Sequence, residues 1–345
     1  MDLKKIAFVD FGNKFNPEEF FMLNLIKDSF DYVITDMKNA DYVIYSQLGN
    51  EHWFAPENSI KIFYTIENIA PDFNACDYAI GFEWMSYEDR YIRFPLYYWY
   101  PQINELMENK HNLSLTEIKK EKKNFCDITI SNTNRNQIFK SLFDALSKYK
   151  SIDSGGAWNN NVGRKVVDKL LFNKAHKFSI VCENSAHSGY TTEKLVEAFA
   201  ANCIPIYWGD PSVSKVFNSK AFINVADFSS IDEVVDYVKK VDTDDDLYEN
   251  MLREPVLVDS FYSKENQTAL MKQFLLAIFS QPFEMAKRRN RILWGKFYVT
   301  DRQKQVKSLL FVWDKKYHDM VWKVKTYFRK HYWSIKSVLY TKDGK

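Results

Sequence analysis

The chain has 345 residues, 46% hydrophobic and 27% charged, with a formal net charge of +2. This is a globular balance, and the length suits two domains. Four scattered cysteines without a C-x-x-C pair and six histidines without ligand spacing tell against a disulfide framework and a zinc site. No apolar run approaches the roughly eighteen residues of a membrane span.

The segment Met1–Val9 runs directly into a strand-like stretch, with no h-region or cleavage site of a signal peptide. A reducing, cytoplasmic setting is expected, with Cys182 and Cys203 as buried thiols. Ile6–Phe11 reads as a strand, Pro17–Phe30 as a helix, and Tyr32–Thr35, Tyr42–Tyr45, Ile60–Thr65 and Tyr78–Ile80 as short strands. Alternating strand and helix signals argue for a parallel sheet with helices on its faces. The polar stretch Asn104–Lys123 reads as an exposed helix and closes a first domain, residues 1–123.

A second α/β block spans residues 124–283. Asp127–Ser131 reads as a strand, Gln137–Tyr149 as a helix, Ser154-Gly-Gly156 as a turn and Val162–Ala175 as a further helix. The strand Phe178–Cys182 and the helix Leu195–Cys203 follow, then strands Ile204–Trp208 and Ala221–Val225. Ser229–Glu233 resembles a capping box that opens a helix running to Lys240. The acidic run Asp242–Asp246 reads as a solvated turn. The segment from Glu284 carries seventeen Lys and Arg against five Asp and Glu, an excess of +12 that leaves −10 for the remainder. Within this tail, residues 284–345, Tyr317, Val321, Val324, Phe328, Ile335 and Val338 recur at near-helical spacing. Lysines and arginines lie between them, as do Trp313, Trp322 and Trp333. A basic amphipathic helical tail of this kind fits an anionic membrane surface; the same pattern also suits a helix docked on its own domain. A nucleic-acid partner has only the basic charge in its favour, with no recognised module.

The most informative stretch is Glu183-Asn-Ser-Ala-His-Ser-Gly-Tyr-Thr-Thr-Glu-Lys194. It lies between an apolar strand and a helix start, the place where open α/β sheets bind ligands. A helix N-terminus attracts anions, Lys194 adds a full charge, and Glu193 accepts hydrogen bonds from sugar hydroxyls. Taken alone, Glu193 and Lys194 read equally as ordinary first-turn residues, and Glu183 and Asn184 as strand-end groups. Followed by Ile204-Pro-Ile-Tyr-Trp-Gly-Asp-Pro-Ser-Val213, the stretch resembles the donor-binding motif of the α1,3/4-fucosyltransferases, glycosyltransferase family 10. The block Lys61–Phe82 continuing to Asp89–Pro95 is similar to the family's second motif, with Ile66 where bacterial members usually carry Gly.

The resemblance implies a GT-B fold: two Rossmann-like domains facing a cleft, an acceptor domain first and a GDP-fucose domain second. It implies metal-independent inverting transfer of fucose from GDP-β-L-fucose, without a cofactor, to a GlcNAc hydroxyl of an oligosaccharide or glycolipid. The setting would be lipopolysaccharide or surface-glycan synthesis at the cytoplasmic face of the membrane. Glu67 would be the general base; alone, it reads equally as a strand-end cap or a partner of Arg90 or Arg93. Asn184 and Glu193 would meet fucose or ribose hydroxyls, Tyr190 the nucleotide and Lys194 the diphosphate, with Glu183 and Thr192 in the same motif. Ser131, Asn132, Gly155 and Gly156 also resemble family segments around the nucleotide, the glycines letting backbone N–H groups approach a phosphate. An arginine of the family pattern is replaced by Phe139, leaving Arg135 or Arg164 to help neutralise the diphosphate.

Overall fold

The structure is a computed structural model and describes residues 3–108, 114–133, 136–308 and 316–327. The chain forms two compact units. The first comprises Met1–Pro95 with Glu265–Asp319, and the second centres on Leu96–Lys264.

In the first unit, β1 (Lys4–Val9), α1 (Phe21–Ile26), β2 (Tyr32–Ile34), β3 (Tyr42–Tyr45), β4 (Ile60–Tyr64), β5 (Tyr78–Gly81) and β6 (Tyr91–Arg93) follow in order. The strands pair in parallel as β2-β1-β3-β4-β5-β6. Every residue of β3 and β4 is buried, as expected of central parallel strands covered on both faces. The predicted helix Pro17–Phe30 is shorter: a single 3-10 turn at Pro17–Glu19, then α1. Much of the aromatic surplus packs in this unit, where Phe8, Phe11, Phe15, Phe20 and Tyr64 meet edge-on or stacked.

In the second unit, α2 (Pro101–Glu108), α3 (Leu115–Glu121), β7 (Asn124–Ile128), α4 (Ile138–Leu146), β8 (Ile152–Ser154), α5 (Lys169–Lys174) and β9 (His176–Cys182) lead into α6 (Glu193–Ala200). β10 (Ile204–Trp208), β11 (Ile223–Asn224), α7 (Ile231–Thr243) and α8 (Asp245–Arg253) complete it. Its strands are parallel in the order β11-β10-β9-β7-β8. The expected exposed helix Asn104–Lys123 is two helices, not one. Asn104 and Met107 are buried where α2 packs on α6, and Ser114 opens α3 with a capping box to Glu117.

Two further expectations give way. Only Lys169–Lys174 of the predicted helix Val162–Ala175 is helical. Asn161 donates to Ile152 O at 2.7 Å and accepts from Ser154 N at 2.7 Å, while Asn160 accepts from Gly163 N at 3.1 Å. These side chains fix the backbone in a loop before a helix can start. Asp242 is no solvated turn residue: it is 8% exposed. It binds Lys150, Lys177 Nζ at 2.6 Å and Tyr149 Oη at 3.0 Å.

The chain returns to the first unit through α9 (Lys264–Ser280), whose Phe279 ring lies 4.5 Å from that of Tyr42 on β3. α10 (Trp294–Lys307) follows. Between them, the backbone N–H groups of Arg288 and Arg289 both donate to the fully buried Asp77 at 2.8 Å. The part of the basic segment up to α10 therefore belongs to the first unit. Its arginines neutralise a buried carboxylate: burial alone would raise the Asp77 carboxyl, but Arg289 and Arg291 outweigh that and hold it low. Residues 316–327 are helical, with Tyr317, Met320, Trp322, Val324 and Tyr327 exposed. Trp313, Phe328, Trp333, Ile335 and Val338 lie outside the described residues. Among the described residues, no helix is long and apolar enough to cross a membrane.

Candidate active site

In the second unit, β7 is followed by β8 on one side and by β9 on the other. The sheet's switch point therefore lies between β7 and β9, where loops at the carboxyl ends diverge and leave room for a ligand. The loop after β7 carries Ser131 and Asn132, and the loop after β9 runs from Glu183 to Lys194. A backbone bond from Asn136 N to Asn184 O at 3.4 Å ties the two loops together. Arg135 lies outside the described residues.

Glu183 is fully buried. Its carboxylate accepts from Thr192 N at 2.8 Å, from Thr192 Oγ1 at 2.8 Å and from Lys194 Nζ at 3.0 Å. Thr192 Oγ1 in turn stands 2.8 Å from the Lys194 ammonium. Glu183 thus orients Lys194 from below and offers no open face to a sugar. A buried charge of this kind is tolerated because it is paired and fully hydrogen-bonded. Thr192 is the N-cap residue of α6, yet makes no side-chain cap bond, because its hydroxyl turns towards Glu183. The Glu183 carboxylate itself therefore sits at the positive end of α6. Glu193 and Lys194 are half-buried on this first turn, whereas Tyr190 is 2% exposed and sits inside the loop.

Asp210 carries the loop, a role that sequence reasoning did not assign. Its carboxylate accepts from Gly189 N at 2.8 Å, Ser212 N at 2.7 Å, Ser212 Oγ at 2.6 Å and Thr191 Oγ1 at 3.0 Å. Tyr207 Oη accepts from Asp210 N at 3.0 Å. A side chain at Gly209 would meet Glu183 Cγ at 2.5 Å, so only glycine lets the strand end pass the buried carboxylate. The signal was present as Gly-Asp-Pro-Ser after an apolar strand, a turn sequence whose aspartate binds backbone N–H groups ahead of it.

The glycine pair is packed close against the sheet. Gly155 N already donates to Ile128 O at 2.9 Å. A Cβ at Gly156 would lie 2.0 Å from Ile130 O. The pair allows the turn to lie against the extension of β7, beside Ser131 Oγ, which accepts from Ala157 N at 3.3 Å. Phe139 is buried in the core, its ring 4.9 Å from Trp158 and nearly perpendicular. Arg164 lines a cavity of about 810 Å³ with Asn124 and His176, the residues that begin β7 and β9. The Arg164 backbone is tied to the glycine turn, since Asn160 Nδ2 donates both to Gly156 O at 3.0 Å and to Arg164 O at 3.2 Å.

In the first unit, Glu67 is exposed in the turn that follows β4. Thr65 Oγ1 accepts from Glu67 N at 3.1 Å and donates to Glu67 O at 3.0 Å, and Ile69 N donates to the same oxygen at 2.8 Å. The turn is fixed by its own backbone and hydroxyl, so Ile66 is accommodated without glycine. Arg90 is not a partner of Glu67: its guanidinium donates to Asp77 O at 2.9 Å, Phe73 O at 3.0 Å and Cys76 O at 2.8 Å. Among the described residues, no three His, Cys, Asp or Glu side chains gather to hold a metal ion.

Residues 6–100, which hold most of the first unit's sheet, match the alpha-(1,3)-fucosyltransferase FucT N-terminal domain. Residues 119–272 match the glycosyltransferase family 10 (fucosyltransferase) C-terminal domain. An alpha-(1,3)-fucosyltransferase FucT from Helicobacter pylori is 35% identical over 259 residues, 65% of this chain and 54% of that protein. Mouse 4-galactosyl-N-acetylglucosaminide 3-alpha-L-fucosyltransferase 9 is 35% identical over 137 residues, 38% of this chain and 37% of that protein. The match thus spans about half of the first relative and about a third of the second. A solved α1,3-fucosyltransferase superposes with a TM-score of 0.71 at 26% identity, covering 84% of this chain and 93% of that one. A structure of α1,3-fucosyltransferase with GDP-fucose superposes at 0.63 with 28% identity, covering 80% and 91%. With the two matched segments together covering more than half of the chain, the chain belongs to glycosyltransferase family 10, the α1,3-fucosyltransferase family.

Proposed function

We propose that this chain transfers L-fucose from GDP-β-L-fucose to a GlcNAc hydroxyl of a galactose-containing glycan, with inversion at the anomeric carbon. The observation that carries the reading is the preorganised Glu183–Lys194 loop at the sheet's switch point, in a segment matched by the family's C-terminal model. Lys194 and the N-terminal turn of α6 would take the diphosphate, supplying positive charge where the leaving group gains negative charge. Asn184 and Glu193 would receive sugar hydroxyls. Glu67 would accept the acceptor's hydroxyl proton as its oxygen bonds to the anomeric carbon. The bond from that carbon to the phosphate oxygen breaks, GDP departs, and an α-L-fucoside remains. No step of this scheme calls on a metal.

GDP-fucose is incubated with type 1 and type 2 oligosaccharides, and the fucosylated product is measured against other sugar nucleotides. The expected result is fucosyl transfer that Glu67→Gln lowers by about a hundredfold or more while GDP binding persists. Turnover of another sugar nucleotide in preference, or full activity in Glu67→Gln, overturns the assignment.

A peripheral membrane setting rests on the tail. Its helical residues 316–327 expose Tyr317, Met320, Trp322, Val324 and Tyr327 beside Lys316, Lys323 and Lys325, a pattern suited to anionic lipid. A chain ending at residue 308 should lose sedimentation with anionic vesicles and retain transfer to a soluble acceptor.

A further inference from the structure

The first unit contains a cationic recess of its own. It is a cavity of about 220 Å³ lined by Lys61, Arg289, Arg291 and Lys296, with Asn290, Thr300 and Gln303 among its polar walls. Lys61 stands at the start of β4, the opposite end of that strand from Glu67. It is 1% exposed, and among the described residues its ammonium has neither a hydrogen-bond nor an ion-pair partner. A buried, unpaired ammonium is costly, and a bound anion would remove that cost. Two arginines frame the recess. Arg289 Nε binds Asp77 at 2.8 Å and its Nη2 binds Ser59 O at 2.7 Å. Arg291 Nη2 reaches Asp77 at 3.0 Å and Ser59 O at 3.2 Å. Both guanidinium groups are therefore held rigidly in place. Lys296, on the first turn of α10, adds an exposed charge at the rim. Four cations face two carboxylates: the buried Asp77, which the arginines share, and the exposed Glu57. The recess is therefore net positive.

The polar donors are ammonium and guanidinium groups, a hydroxyl and amides, the set that phosphate oxygens prefer. Ile292, Leu293, Trp294 and Phe297, neighbours in the chain of the recess residues Arg291, Gly295 and Lys296, are 60–78% exposed. Leu293 is held at a φ of 44°, a left-handed conformation that disfavours a branched side chain. We propose that this recess binds the phosphate group of a monoester or diester, with Lys61 as the buried contact and Lys296 as the rim contact. These exposed apolar neighbours make a phospholipid headgroup one source of that phosphate; free phosphate is the other.

The test uses the full chain carrying Lys194→Ala, so that phosphate entering the Glu183–Lys194 loop does not contribute. Thermal unfolding is followed against inorganic phosphate at constant ionic strength. The expected result is a midpoint that rises with phosphate. Lys61→Met and, separately, Lys296→Glu should weaken phosphate binding about ten- to a hundredfold. Lys296 lies at the surface, so its variant reports binding without a change in the core. Vesicles of phosphatidylcholine with and without phosphatidylglycerol then identify the source. If both variants also lower the phosphatidylglycerol-dependent partition, the ligand is a headgroup; if partition is unchanged, it is a free phosphate compound. No midpoint shift with phosphate, or a shift that survives both variants, overturns the site.

Discussion

Lys61 shows how one residue couples burial, charge and pH. Burial, with Arg289 beside it, brings its ammonium down to about 7. An unfolded lysine titrates near 10.4, so between about pH 7 and pH 10 the unfolded chain binds more protons than the folded one. Stability contributed by this group therefore rises with pH across that window, and the burial penalty is fully present below it. In phosphate-free buffer, Lys61→Met should stabilise the chain at pH 7 by on the order of 2–4 kcal/mol. The gain should shrink towards pH 10 in urea unfolding series. A less stable variant at pH 7, or a gain that does not change with pH, would show that Lys61 is paired in solution. None of this was legible in the sequence, where Lys61 is one lysine in an apolar strand and its neighbours Arg289 and Arg291 lie more than two hundred residues away.

At the level of the element, the loops at the switch point are built by close approach and by side chains that cap backbone. Gly156 and Gly163 separate these two causes. A methyl at Gly156 meets Ile130 O at 2.0 Å, a backbone atom that has no room to withdraw. Gly163 has open space around its Cα but a φ of 72°. Gly156→Ala should therefore cost several kcal/mol, on the order of 3 or more, and weaken GDP binding by moving the turn beside Ser131. Gly163→Ala should cost only about 1 kcal/mol and leave GDP binding intact. Thermal unfolding with and without GDP measures both, and equal losses in the two variants would contradict the close-approach argument. The same physics decides what periodicity reveals. Tyr42–Tyr45 and Ile204–Trp208 fall where their apolar runs put them, since a covered parallel strand reads as a continuous hydrophobic run. The run Val162–Ala175 has helical spacing too, but Asn160 and Asn161 bind neighbouring backbone and hold its first half as loop. In the site, the Glu183–Lys194 motif was visible and the brace was not. Asp210 acts through backbone N–H groups of its own turn and of the Glu183–Lys194 loop, and a sequence pattern does not show which other loop an aspartate faces.

Across the whole molecule, composition suggests boundaries near residues 123 and 283, whereas contacts divide the chain at Pro95 and Glu265. The reason is that polarity marks where a helix is solvated, not which body it packs against. α2 lies on α6, and α9 lies on the first unit's sheet. This organisation makes the two units unequal as folding units. The core of the second, from Ile118 to Leu252, is drawn wholly from its own continuous segment. The first leaves Tyr42 and Tyr78 to be covered by Phe279 and Phe274 of α9, and its buried Asp77 to be neutralised by Arg289 and Arg291. A fragment of residues 96–264 should fold alone and unfold cooperatively on heating. A fragment of residues 1–95 should not, because it exposes an apolar sheet face and strands a carboxylate in a site built for two arginines. Adding residues 265–308 in trans should restore a cooperative transition by circular dichroism. If residues 1–95 fold cooperatively by themselves, α9 and the arginine segment are accessories to the first unit; if they require the returning segment, that segment is part of its core and the final turn of chain must be synthesised before the first sheet is stable.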